Sequence, residues 1–353
     1  MTERTLSEQE RARTGRQLIL PELGDGGQQK LAQARIAVVG AGGLGSPVIS
    51  YLAAAGVGEL IVIDDDVVEL SNLHRQTIHD QAHLGRPKTV SATEVAARLS
   101  PETIVTEKPV RLTAENAREL LAGADVIVDG SDSFDTRFPV NDAAMALGVP
   151  VVWGAVLGWN AQVTVLWPRP PADSGFTAIE LRDVFADTPE TRRTVGCSVA
   201  GVLGAVCGIA GSMMALEAIK LITGLGQPLV GTMVVIDALA GTTNRVNLGA
   251  APSRVEAISV TALTEIPSEA VIVDVRHVAE REANPVTRDS LHLPLAEVLL
   301  IEGSSPRPAA LEALAADQVI VTVCAEGPRS ARAARHLISQ GYAVAGFLDG
   351  GLP

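Results

Sequence analysis

The run Gly40-Ala41-Gly42-Gly43-Leu44-Gly45 constrains this chain more than any other feature. It lies between a short apolar strand pattern, Arg35 to Val39, and a helix pattern reaching Ala55, and it fits G-x-G-x-x-G. In that place the glycines permit a tight turn and a close backbone approach, and the following helix N-terminus offers unpaired N–H groups to a phosphate. A second strand pattern, Glu59 to Ile63, ends in Asp64-Asp65-Asp66. An aspartate at that strand end can hydrogen-bond a ribose hydroxyl. Alone, loop and aspartate say only that an adenine nucleotide binds, and NAD is the default.

Strand and helix patterns alternate onward through Ile127 and Val151, which predicts an α/β fold with a mostly parallel, Rossmann-like sheet and crossover helices. Before the first strand, residues 7 to 20 read as one polar amphipathic helix. From Trp153 to Trp167 the pattern turns to neighbouring strands, and residues 168 to 196, polar and proline-bearing, read as a mobile loop. Two strand-like runs, Thr232 to Asp237 and Thr242 to Asn247, precede the stretch LGAAPSR. Beyond it a second α/β pattern begins, with strands at 271 to 275 and 318 to 323 and a helix from about Ser330 to Gln340. At 353 residues the chain fits two domains, placed at 1–248 and 256–353 with a linker at 249–255.

The net charge is −13, from 41 acidic and 28 basic residues. Such a surface repels phosphate backbones and anionic lipid heads, which argues against nucleic-acid and membrane partners. Lysine occurs only at Lys30, Lys88, Lys108 and Lys220, so a lysine in an unusual context carries weight. Cys197, Cys207 and Cys324 form no C-x-x-C pair, which rules out a four-cysteine zinc site by counting. The polar N-terminus lacks the apolar core of a signal peptide, and a cytoplasmic location is the simplest expectation. Val199 to Leu216 is an uncharged stretch near the length of a membrane span. Its glycines, Gly201, Gly204, Gly208 and Gly211, fall on one helical face and favour a buried helix that another backbone approaches closely.

The residues just past the acidic strand end shift the expected nucleotide from NAD to ATP. Ser71-Asn72-Leu73-His74-Arg75-Gln76 comes first, and Gly85-Arg86-Pro87-Lys88 then opens a helix. Arg75 and Lys88 would put two cations near a polyphosphate. Asp132, in Asp129-Gly130-Ser131-Asp132, lies past another strand, where an aspartate can hold magnesium against phosphate. Cys197 directly precedes the glycine-striped helix, whose N-terminus would favour a thiolate. Cys207, inside that helix, reads as a small buried hydrophobe. In the second domain Cys324-Ala325-Glu326-Gly327-Pro328-Arg329-Ser330 sets a cysteine at a strand end before a tight loop and a helix. Backbone N–H groups of such a loop, with the charge of Arg329, can hold an anionic thiolate or persulfide.

GAGGLG, DDDVVELSNLHRQ, GRPK, DGSD and Arg13-Thr14-Gly15-Arg16-Gln17 together resemble the MoeB/ThiF superfamily, bacterial relatives of ubiquitin-activating enzymes. The resemblance runs from about residue 10 to residue 248. It implies ATP contacts from Gly43, Asp64, Asn72, Arg75 and Lys88, and magnesium held by Asp132. It also implies a homodimer in which Arg16 reaches the nucleotide of the other subunit, and a catalytic cysteine at the place of Cys197. The segment from about 255 to 353 is similar to a rhodanese domain, carried by the Cys324 loop with Gly327 and Arg329, by Asp274-Val275-Arg276 and by Leu293-Pro294-Leu295. Two departures stand out: many relatives have two C-x-x-C pairs for structural zinc, the first of which would fall near Phe176, and Ser133 stands where asparagine is usual. The segment between Glu280 and His292 is also short for a rhodanese domain.

The activity the resemblance implies is adenylation of the C-terminal glycine carboxylate of a small ubiquitin-like sulfur-carrier protein ending in Gly-Gly. Sulfur would then pass from a persulfide on Cys324, loaded by a donor such as a cysteine desulfurase, to give a thiocarboxylate. Two other readings stay open at the level of sequence. An NAD-dependent oxidoreductase with an appended sulfurtransferase explains the glycine loop and Asp64 but leaves Arg16, Arg75 and Lys88 idle. A non-catalytic carrier-binding scaffold would explain Ser133 and the missing zinc cysteines.

Overall fold

Alternate residues of the first strand, β1 (Arg35–Val39), enter two different hydrophobic cores: Ile36 and Val38 face one, Ala37 and Val39 the other. A strand apolar on both faces belongs inside a parallel sheet covered by helices on each side, and β1 pairs in parallel with β2 (Glu59–Ile63) and β4 (Val126–Asp129). β3 (Ile104–Lys108) adds in parallel beyond β2, and β5 (Val151–Leu157) beyond β4. Three antiparallel strands, β6 (Asn160–Leu166), β7 (Thr232–Asp237) and β8 (Thr242–Asn247), extend the sheet to the order β3-β2-β1-β4-β5-β6-β7-β8. The expected mostly parallel sheet is present, and the strand order reverses between β1 and β4. At such a switch point the loops past the strand ends part and leave a crevice for a ligand.

The computed structural model describes residues 5–172, 174–185, 187–192, 201–248, 258–260, 266–268, 270–286, 288–298, 311, 318–324, 328–339, 342 and 344–348. The chain divides into two compact units, Met1–Ala250 and Ala251–Pro353.

The predicted helix over 7 to 20 is instead two short ones, α1 (Glu8–Arg13) and α2 (Gly15–Leu18). The break falls at Thr14, whose backbone leaves the helical region (φ −93°, ψ 8°) while its hydroxyl donates to the Glu10 carbonyl at 2.7 Å. A third helix, α3 (Gly24–Gln33), leads into β1, and α4 (Gly45–Ala55) follows it. Arg13 and Gln17 donate to the Ala54 and Ala55 carbonyls at the end of α4, so the N-terminal arm is tied to the helix that begins at the glycine loop. Beyond β2, α5 (Lys88–Leu99) begins at Lys88, as the sequence predicts. α6 (Ala117–Leu120) and α7 (Phe134–Leu147) flank β4 in the chain.

The described residues between 168 and 192 are more ordered than the sequence suggested. Trp167 stacks on Phe176 with ring centroids 5.9 Å apart, Ile179 and Leu181 are buried, and two short helices form, α8 (Leu181–Val184) and α9 (Pro189–Arg192). Arg182 pairs with Asp142 and Asp187, and Arg192 with Asp135 and Asp187, tying both helices to α7. At Phe176, where relatives would place a zinc cysteine pair, an aromatic contact joins the segment to the residue that follows β6.

The glycine-striped helix is displaced along the chain from its predicted place. It spans α10 (Gly204–Thr223), and Gly201, with φ +75°, lies outside it. Glu217 and Lys220, read as following the apolar stretch, are within the helix. Glu217 is buried, accepts the Leu229 N–H at 2.8 Å and pairs with Lys220 at 2.5 Å. α10 is long and apolar enough to cross a membrane, but here its apolar side packs on α4 and on β4 to β6. The close approach expected of its glycines occurs at two of them. A Cβ at Gly204 would overlap the His74 carbonyl, and one at Gly211 would stand 2.6 Å from the Leu44 carbonyl oxygen.

The second unit is a five-stranded parallel sheet, ordered β11-β10-β12-β13-β9, from β9 (Ile258–Val260), β10 (Val271–Asp274), β11 (Ser290–His292), β12 (Ile320–Val323) and β13 (Val344–Leu348). α11 (Val278–Ala283) bridges β10 to β11, so the short segment after Glu280 suffices for the crossover. α12 (Leu295–Val298) comes next, and α13 (Pro328–Ser339) begins two residues before its predicted start. β13 is an inner strand, paired with both β12 and β9.

Candidate functional site

A cavity of about 660 Å³ opens at the carboxyl ends of β1, β2 and β4, the size of an ordinary small-ligand site. Gly43, Asp64, Asn72, Arg75, Lys88 and Asp132 all line it. The fold thus brings together the six nucleotide residues that the sequence nominated. Arg16 does not line it: it is exposed on α2.

The glycine loop is held rigidly from beneath. Gly40 turns at φ +89°, a region that glycine alone adopts cheaply. A Cβ at Gly45 would overlap the Gly40 carbonyl, so the third glycine is required for the loop to close on its helix. Asp64 accepts the Ala41 N–H at 2.7 Å and the Asp66 N–H at 2.9 Å. Burial pushes the Asp64 carboxyl above its ordinary range, against the pull of Lys88 and those two N–H groups. On the other side the His79 ring lies 2.9 Å from the Ala41 carbonyl. Burial holds that imidazole down to about 4, so it is neutral at neutral pH and Nε2–H donates to the carbonyl.

The cations are placed by local geometry. A bridge between Val67 and Pro87 brings the GRPK turn back beside the three aspartates. Lys88 is buried at the start of α5, with Nζ 2.7 Å from Asp66. Arg75 donates to the Ser71 carbonyl at 3.0 Å, and buried Asn72 fixes the same turn by accepting the Glu69 N–H.

Across the cavity, the Ser131–Asp132 turn is gripped at both ends. Asp129, fully buried, accepts the Ser131 N–H at 3.0 Å and its hydroxyl at 2.6 Å, and burial pushes its carboxyl up. Arg137 takes the Ser131 carbonyl through Nη2 at 2.7 Å and Nε at 3.2 Å, with its guanidinium over the rings of Trp153 and Phe134. Asp132 itself is exposed in the cavity, and its carboxylate has no partner among the described residues. Ser133 is the N-cap of α7, its Oγ accepting the Asp135 N–H at 3.2 Å. Serine is a favoured cap, so this departure from the family pattern keeps the helix start. Sequence reasoning missed His79, Asp129 and Arg137. A lone buried histidine and an arginine inside a helix carry no signal until the fold shows what they hold.

Cys207 is buried, as expected, but also lines the cavity, and a Cβ at Gly43 would stand 2.9 Å from its sulfur. Cys197 lies outside the described residues. The helix expected to begin beside it starts only at Gly204, after non-helical residues 201–203.

In the second unit Cys324 directly follows β12, fully buried, with its sulfur 3.4 Å from Ser330 Oγ. Gly327 lies outside the described residues. Arg329, expected to lend its charge to the sulfur, forms a two-point ion pair with Glu280, at 2.6 and 2.7 Å. That pair holds the Glu280 carboxyl at about 2. Asp274 and Arg276 form a second, wholly buried two-point pair beneath the site.

Residues 14–256 match the ThiF family, more than half of the chain. The chain belongs to the ThiF family. Residues 259–353 of this ThiF-family protein match the rhodanese-like domain. It is 36% identical to a Mycobacterium tuberculosis protein named probable adenylyltransferase/sulfurtransferase MoeZ, over 98% of this chain and 93% of MoeZ. It is 44% identical to the sulfur carrier protein adenylyltransferase of Thermus thermophilus, over 66% of this chain and 85% of that protein. Among solved structures, E. coli MccB with ATP superposes with a TM-score of 0.58 over 71% of this chain and 74% of MccB, at 22% identity, a likeness of fold. This ThiF-family chain is an enzyme, with an adenylyltransferase-type unit followed by a sulfurtransferase-type unit. The oxidoreductase and scaffold readings are set aside.

Proposed function

We propose that the N-terminal unit uses ATP to adenylate the C-terminal glycine carboxylate of a small ubiquitin-like sulfur carrier, and that the C-terminal unit supplies the sulfur. The observation that carries this reading is the convergence of Arg75, Lys88, Asp132 and the glycine loop on one cavity. A dinucleotide bridge has no use for an uncommitted carboxylate facing two cations. ATP use is a property of the family; the roles of single residues are our assignment.

In this scheme the carrier carboxylate attacks the α-phosphorus of ATP, forming the acyl–phosphate bond and releasing pyrophosphate. Two anions must meet, and Arg75, Lys88 and the N–H groups at the start of α4 spread the charge. Asp64 would take the ribose, and Asn72 would fix the turn that carries Arg75. The exposed Asp132 carboxylate fits a magnesium ion, which when bound screens phosphate charge. Arg16, exposed on an arm tied to α4, would serve the site of a second copy in a homodimer.

The terminal sulfur of a Cys324 persulfide, loaded by a donor of the cysteine desulfurase class, would then attack the acyl-adenylate and expel AMP. An acyl disulfide results. The Cys197 thiolate would attack the Cys324 sulfur, releasing the carrier thiocarboxylate and leaving a Cys197–Cys324 disulfide for a cellular thiol to reduce. No zinc is assigned to the chain, and the expected compartment is the cytoplasm.

Replacing Cys324 with alanine separates the two halves. The expected result is unchanged ATP–pyrophosphate exchange with no thiocarboxylate on the carrier, read by mass spectrometry. Equal loss of both steps would overturn the two-module scheme.

A further inference from the structure

The side chain of Gln76 is buried, 4% exposed, yet its Oε1 has no hydrogen-bond partner and nothing holds its Nε2, among the described residues. Its backbone is fully engaged: the N–H donates to the Asn72 carbonyl at 3.0 Å and the carbonyl accepts the His79 N–H at 3.1 Å. The root of the side chain is therefore fixed while its polar end is unsatisfied. Leaving a buried amide so is destabilising, and such exceptions in a native fold call for an explanation. Leucine would fill the same space at no such cost, which points to a partner that arrives with the ligand.

The amide's surroundings say which ligand. Gln76 lines the nucleotide cavity, and Nε2 is 3.5 Å from where a Cβ on Gly42 would stand. It thus faces the part of the glycine loop that has no side chain, next to the N-terminus of the eleven-residue α4. Arg75 is its neighbour in sequence, and Lys88 lines the same cavity. Donors that converge on a helix N-terminus beside two cations suit an anionic oxygen.

The geometry points to Gln76 as a nucleotide-contacting residue, its carboxamide N–H donating to a phosphate oxygen of ATP at the glycine loop and its Oε1 accepting from a donor of the same complex. This assignment rests on the nucleotide reading of the cavity and adds to its contacts the last residue of the DDDVVELSNLHRQ motif. Gln76 would be a binding residue whose polar end the protein alone leaves unsatisfied.

Two variants test it, Gln76→Leu and Gln76→Glu, with melting of the free protein and ATP affinity by calorimetry read side by side. The Leu variant is expected to melt at or above the wild-type temperature and to bind ATP about ten-fold more weakly, as for a lost hydrogen bond to a charged group. The Glu variant, which brings a negative charge to the phosphates, is expected to bind more weakly still. Wild-type ATP affinity in Gln76→Leu, or a fall of stability and affinity together in both variants, would overturn the inference alone. A wild-type chain that binds no ATP would overturn the nucleotide reading as well.

Discussion

Asp64 and His79 hold the two polar groups of a single residue: Asp64 accepts the Ala41 N–H at 2.7 Å, and the His79 ring meets the Ala41 carbonyl at 2.9 Å. One comes from the end of β2 and the other from the turn that carries Arg75. The glycine loop and the turn with Arg75 are therefore fixed to each other through Ala41. The shape of this side of the cavity is thus set by the chain itself.

This grip depends on pH in a calculable direction. The His79 imidazole, ordinarily at 6.5, is lowered by burial to about 4, so the folded chain binds fewer protons than the unfolded one between those values. The stability this provides is fully present above pH 6.5 and is lost as pH falls toward 4. His79→Asn, which removes the titration, should lose less melting temperature than wild type between about pH 7 and pH 5. Parallel losses measured by scanning calorimetry would show that His79 does not titrate as described.

Within α10 two of the glycines make opposite predictions. A Cβ at Gly208 meets nothing within 4 Å, so Gly208→Ala should stabilise by roughly 0.5–1 kcal/mol through helix propensity. A Cβ at Gly211 would stand 2.6 Å from the Leu44 carbonyl oxygen and overlap Pro47, so Gly211→Ala should destabilise by about 1–3 kcal/mol. Denaturant melts of the two variants decide the matter. The same sign in both would mean that α10 does not pack against α4 as described.

Lys88 tests the electrostatics. Its buried ammonium pairs with Asp66, whose side chain is largely exposed and can be rehydrated. Removing Lys88 should therefore cost little stability, while a transition-state cation is lost. Lys88→Ala is expected to lower ATP–pyrophosphate exchange by a factor on the order of 10² or more with a nearly unchanged melting temperature. An active variant would remove Lys88 from the phosphate site.

Much of this site was legible in the sequence because backbone rules fix it. Strand β1, the glycine loop and α4 fall where an apolar run, a turn that only glycine permits and a helix pattern placed them. Boundaries set by side-chain bonding were not legible. The helix breaks at Thr14, whose backbone leaves the helical region, and Glu217 stays inside α10 because its carboxylate has a backbone partner 12 residues away. The same holds for function. The pairing of Arg329 with Glu280, 49 residues distant in the chain, could not be read from the sequence. His79, Arg137 and Gln76 gain meaning only from what surrounds them in space.

The most direct measurement is ATP–pyrophosphate exchange by the full chain, with and without small carrier proteins that end in Gly-Gly. Exchange that appears with a carrier, and disappears when its terminal glycine is removed, is the predicted result. Tight ATP binding with no exchange in the presence of any such carrier would contradict adenylation as the function of this site.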